Sequence, residues 1–233
     1  MLRMQKAARS LAVFISIVVV QSPLFADDEL PAGANTADVT NSSYTNRAAF
    51  STTASPENEV VRLFALYQDA RLASMQEEAD SLAKQIVEVS IRSYGRESNG
   101  TAKALTNLAM LQSENDELVP AIQNLSAAID IVERSENRLS SELINPLKAL
   151  GIAQLQAGNT DLAKAAWYRA VHISHVNMGP HNYEQVETLH ALARMFSSAG
   201  MAKEARKTYK RISYLKSREF QPRTDGMLPE LYE

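Results

Sequence analysis

The sequence predicts an all-α fold in which four antiparallel helix pairs stack as a solenoid, and three observations predict it. The first is a step of 42 residues. Ala79, Ala121, Ala163 and Ala205 share it, as do Leu63, Leu105, Leu147 and Leu189. Leu66, Leu108, Leu150 and Leu192 form a third column, and Ile86, Ala128, Ala170 and Ile212 a fourth. A period of roughly 20–50 residues marks supersecondary units that bury their apolar faces only against one another. The second observation is helical spacing inside each unit: Val60, Leu63, Phe64 and Tyr67, then Leu105, Leu108, Ala109 and Gln112, then Leu147, Leu150, Gly151 and Leu155. No alternating run competes with it. The third is punctuation. Tyr94-Gly95, Ser98-Asn99-Gly100, Asn115-Asp116, Gly158-Asn159, Gly179-Pro180 and Gly200 mark breaks in a region that reads as eight helices.

Taken from the start, the chain opens with Arg3, Lys6 and Arg9, followed by an apolar run from Leu11 to Val20 and by Leu24-Phe25-Ala26 before Asp27. This is the order of a secretory signal peptide, with cleavage expected after Ala26. The run is about half the roughly 20 residues a membrane span requires. Removing residues 1–26 leaves 21 basic and 27 acidic side chains, a net charge of −6. A mildly acidic chain has no general attraction for nucleic acid. With no cysteine, it has no disulfide framework and is held by packing alone.

Residues 27–56 are rich in Ser, Thr, Asn and Ala and read as a flexible linker. Pro56 with Glu57 and Glu59 suits a helix start, because proline fits the first turn and acids complement the helix dipole. The solenoid is expected over 57–219, in repeats of about 60–101, 102–143, 144–185 and 186–219. An irregular tail is expected over 220–233, with Pro222, Gly226 and Pro229. Its Met227, Leu228 and Leu231 would permit it to fold back onto its own or another copy.

One family carries these columns. Leu150-Gly151, Gly158, Ala163, Trp167 and Ala170 stand in the order and spacing of the tetratricopeptide repeat. Leu192-Ala193, Gly200, Ala205, Tyr209 and Ile212 repeat it, and Leu108-Ala109, Asp116, Ala121, Leu125 and Ala128 follow it more loosely. The first unit departs most: Leu66-Tyr67 replaces the leucine and small residue, and Ser74 stands where the glycine would be. The chain thus resembles the tetratricopeptide superfamily. Its long step and the stretch from Asn177 to Asn182 resemble the kinesin-light-chain-like branch with its 42-residue repeats. The resemblance implies a right-handed superhelix whose concave wall, lined by the first helix of each pair, receives partners, often extended peptides.

In that frame the wall offers Phe64, Gln68 and Arg71 in the first unit, and Lys103, Thr106, Asn107 and Met110 in the second. Asn145, Lys148, Ile152 and Gln156 follow in the third, and Glu187, His190 and Arg194 in the fourth. The set is mixed, with a basic bias from Arg71, Lys103, Lys148 and Arg194. The family's carboxylate clamp is not expected, because Phe64 and Gln68 occupy its Lys and Asn places. Of the asparagines that the kinesin-light-chain branch places on its first helices only Asn107 survives, with Ala65, Ala149 and Ala191 elsewhere. Trp167 and Tyr209 are expected to fill the volume between one pair and the next.

Lys203, Arg206, Lys207, Lys210 and Arg211 fall on one face of the last helix. A solvated cap closing the solenoid is the plain account; peripheral contact with an anionic membrane surface is the alternative. The first pair is acidic by contrast, a polarity that leaves room for head-to-tail self-association. His172, His175 and His181 lack the further ligands a zinc site needs, so no metal or other cofactor is expected. No nucleophile elbow, phosphate loop or metalloprotease helix is present. The expectation is a non-enzymatic scaffold or adaptor, periplasmic or secreted, that binds a protein or peptide partner in its groove. The alternative is a membrane-surface accessory subunit of an envelope or secretion complex.

Overall fold

The computed structural model describes residues 56–219, all within one compact unit. The expected signal peptide, the linker up to residue 55 and the tail lie outside the described residues. Within them the chain forms α1 (Pro56–Leu72), α2 (Gln76–Tyr94), α3 (Asn99–Glu114) and α4 (Leu118–Ser135). A 3-10 turn over Ser141–Leu143 leads into α5 (Ile144–Gln156), followed by α6 (Thr160–Met178), α7 (Gln185–Ser198) and α8 (Ala202–Glu219). Among the described residues there is no strand, and each helix packs against the one before and the one after it.

The two helices of every pair are joined by the same short turn. Ser74, Asp116, Gly158 and Gly200, one 42-residue step apart, hold φ of 58°, 64°, 80° and 73°. The next residue donates its N–H five positions back: Met75 to Ala70 at 2.9 Å, Glu117 to Gln112 at 2.8 Å, Asn159 to Gln154 at 2.8 Å and Met201 to Phe196 at 2.9 Å. This is the Schellman closure, which satisfies carbonyls that the helix end would leave bare. Two units form it with glycine; the first two form it with side chains that pay about 1–2 kcal/mol for the left-handed backbone, less for Asp116 than for Ser74.

The loops between pairs are held by a polar column. Ser98 caps α3 by accepting the Thr101 N–H at 3.2 Å and donates to the Gly95 carbonyl at 2.9 Å. The expected break at Ser98-Asn99-Gly100 is therefore the start of a capped helix, with Gly100 in its first turn. Ser140 likewise accepts the Glu142 N–H at 3.1 Å. Asn182 donates to the carbonyls of Ser174 and Gly179 and accepts from the Ser174 hydroxyl at 2.9 Å.

Packing follows the columns. Ala79, Ala121, Ala163 and Ala205 are all buried, each in the second helix of its pair where a larger group would part the helices. Trp167 is 2% exposed, and its indole N–H donates to the Lys148 carbonyl at 3.1 Å. It lies so close to α5 that a Cβ added at Gly151 would stand 2.2 Å from its ring nitrogen. Val186, Leu189 and Leu192 of the following pair close over the same cluster. Tyr209, the equivalent of Trp167, is instead 41% exposed. No fifth pair follows among the described residues, so the volume expected to be filled there is open. At the other end Leu66 is 38% exposed although Leu108 and Leu192 of its column are buried, for the matching reason.

Candidate functional site

The first helices α1, α3, α5 and α7 carry the wall residues at matched register. Phe64, Gln68, Asn107, Met110, Ile152 and His190 are half-buried, whereas Asn145, Gln156 and Arg194 are exposed. Phe64, Met110 and Ile152 pack sideways against the apolar clusters of their units, which fixes the ring, the thioether and the branched chain while leaving part of each uncovered. Thr106 does not belong to the surface. It is buried and turns its hydroxyl onto the Ala102 carbonyl at 2.8 Å, one helical turn back.

The expected basic bias is largely cancelled inside the chain. Arg71 pairs with Glu114 at 2.8 Å, Lys103 with Glu142 at 3.0 Å, and Lys148 with Glu187. Each pair joins one unit to the next. Two separations account for them: 39 residues for the two lysines, and 43 for Arg71, the step that Ser113 and Gln156 also use for a hydrogen bond. These are one repeat less three and one repeat plus one, the positions beside the same face of the following helix. Read as pairs across the 42-residue step, the charges could have been matched from the sequence. Partly exposed pairs of this kind contribute about 0–1 kcal/mol each. Their larger effect is to leave the wall nearly neutral over its first three units.

What remains unpaired in those units is Gln68, Asn107 and Asn145, whose amides have no partner among the described side chains, beside the apolar Phe64, Met110 and Ile152. The fourth unit differs. His190 meets Tyr209 edge-on, with ring centroids 6.3 Å apart. Burial holds the His190 imidazole below its ordinary value, and the cations Lys216 and Arg194 push it the same way. Free positive charge on the wall is thus confined to its end.

The basic face of α8 separates into two parts. Lys203, Lys207 and Lys210 occupy positions that are exposed in every second helix of the stack, and with Arg206 and Ala202 they line a shallow depression. Arg211 is structural. Its guanidinium donates to the Pro180 carbonyl and lies 5.7 Å from the Tyr214 ring, tying α8 to the loop before α7. Among the described residues no cluster of His, Asp and Glu could hold a metal ion, and no helix is long and apolar enough to cross a membrane.

Comparison with known proteins places this architecture. No family model matches the chain, and no curated protein matches it in sequence. Solved structures do. BtubC (BKLC) from P. vanneervenii superposes with a TM-score of 0.63 at 17% identity, covering 76% of this chain and 72% of that one. A putative kinesin light chain from Podosopora anserina, built of nearly identical TPR-like repeats, gives 0.59 at 16% identity, over 73% and 82%. MamA gives 0.50 at 19% identity, over 70% and 81%. The chain is a protein of tetratricopeptide-like repeat fold. In particular its helix pairs are similar to those of the putative kinesin light chain with TPR-like repeats.

Proposed function

We propose that this chain is a non-enzymatic adaptor that binds an extended, weakly charged segment of a partner protein along its first-helix wall, after export to the bacterial envelope. The wall chemistry carries the reading. Arg71, Lys103 and Lys148 are neutralised within the chain, so a partner meets the apolar Phe64, Met110 and Ile152 flanked by the amides of Gln68, Asn107 and Asn145. Partly exposed apolar side chains favour covering by about 25 cal/mol per Å² of buried apolar area. Free amides both donate to and accept from the backbone of an extended chain. The basic N-terminus, apolar run and Ala26 support export.

A photo-crosslinking residue placed at Asn145 should trap one partner from envelope fractions, and Met110→Glu with Ile152→Glu should reduce its capture at least roughly tenfold. Unchanged capture by that double variant would remove the wall from the interaction. The second reading rests on the exposed Lys203, Lys207 and Lys210. If it holds, the protein co-pellets with vesicles containing anionic lipid at low salt, and Lys203→Glu with Lys207→Glu releases it. Export is read from the N-terminal sequence of the protein in the periplasmic fraction, which should begin at Asp27.

A further inference from the structure

The two ends of the stack display the surfaces that every internal interface hides. Ala104, Leu108 and Leu111 of α3 belong to the apolar cluster of the first pair, so these positions face the preceding unit. Their equivalents on α1 are Arg62, Leu66 and Asp69, all exposed. Glu59 stands one step before Thr101, Leu143 and Gln185, which are buried, yet it is itself half-open. At the far end, Ala83, Leu125 and Trp167 lie under the following unit while Tyr209 is open. Ser90, Val132 and Ser174 are buried while the equivalent Lys216 is exposed. Arg206, Tyr209, Ser213 and Lys216 thus form the terminal face, with Arg194 beside it.

The faces are opposite in charge. The first pair, residues 57–94, has seven acidic and four basic side chains; the last, residues 185–219, has eight basic and three acidic. On the faces themselves, Glu59 and Asp69 against a lone Arg62 would meet Arg194, Arg206 and Lys216. None of these last three has an acidic partner within hydrogen-bonding reach among the described side chains. The open Leu66 and Tyr209 supply the apolar part of each surface. A backbone register that repeats at 42 residues through all four turns means that a second copy can continue the stack with the geometry of an internal interface.

We infer that copies of this chain associate head to tail, the α1 face of one covering the α7–α8 terminal face of the next. The contact is heterologous, so it leaves a free face at each end and extends beyond a dimer. Charge steers it, and salt weakens it.

Sedimentation of the full chain tests this. The wild type should show a weight-average mass that climbs past the dimer with concentration at low salt and falls back in about 0.5 M salt, where charges are screened within a few ångströms. Leu66→Arg with Asp69→Arg blocks one face, and Tyr209→Arg with Ser213→Arg blocks the other. Each variant, checked for an unchanged helical spectrum, should sediment as a monomer. Mixed, they should form a one-to-one dimer through their two intact faces and stop there, since the altered faces are both basic. A monomeric wild type at every concentration overturns the inference. So does a dimer that neither variant disturbs, which would place association elsewhere in the chain, or a pair of variants that fails to complement.

Discussion

The first and third pairs solve one packing problem in opposite ways. In the third, the bulk comes from the second helix: Trp167 presses on Gly151, where α5 has no side chain at all. In the first, the same two positions hold Tyr67 and Ala83, both buried in one cluster. There the bulk comes from the first helix and the second gives way. The second unit, with Ala109 and Leu125, lies between them. Each contact keeps one large and one small partner, so the total filled volume is kept while its source changes sides. Tyr67 places its polar tip differently from the tryptophan: its hydroxyl accepts from Arg71 at 3.4 Å, and burial raises its pKa above the ordinary phenol value. Departure from the family pattern at one position is therefore compensation at another.

The comparison is broken most forcefully at Gly151. Gly151→Ala places a methyl group 2.2 Å from the Trp167 ring nitrogen, which a rigid, buried ring cannot yield to without moving α5 from α6. Overpacking of this kind costs about 1–3 kcal/mol or more, and loss of the indole's bond to Lys148 adds to it. Chemical denaturation should show a fall of at least about 3 kcal/mol, similar to Trp167→Ala. In the first pair, Tyr67→Gly and Ala83→Trp should each destabilise strongly, while the double variant regains about 1 kcal/mol or more of the summed loss. Strict additivity would mean that the two positions do not share a contact.

Smaller effects separate the turns. Ser74→Gly should stabilise by about 1 kcal/mol and Asp116→Gly by about half as much, because glycine adopts the left-handed backbone without steric cost. Gly158→Ala and Gly200→Ala should lose about 1 kcal/mol each. Thermal melts of the four variants test whether the first half of the stack is held back by its turns.

The smallest effect distinguishes the last unit. Because burial, Lys216 and Arg194 lower the His190 pKa in the folded chain, folding favours the neutral ring. That contribution is fully present above the ordinary histidine value near 6.5 and is lost as pH falls through and below it. The Tm should decline slightly more steeply on acidification in the wild type than in His190→Gln.

The fold was legible because its grammar is periodic. Four turns at one column and four buried alanines at another can be counted in the sequence, and the helix boundaries follow. The departure at Tyr67 was legible along its column, but its compensation by Ala83 shows only across the pair. The charge of the expected wall was not legible in the same way. Arg71, Lys103 and Lys148 look basic one residue at a time, and their acids stand 39 or 43 residues away. The exposure of Tyr209 depends on which neighbours exist, a fact of the ends of the stack that no single unit contains.

The identical closure of all four turns has a consequence for chain length. Joining residue 101 directly to residue 144 removes one unit and leaves every remaining turn, capping serine and alanine crossing in phase. Chains that differ by 42 residues can therefore share one packing. A loss of 40 or 44 at the same junction would rotate the joined helix off its crossing, so whole units are the lengths that leave the stack in phase.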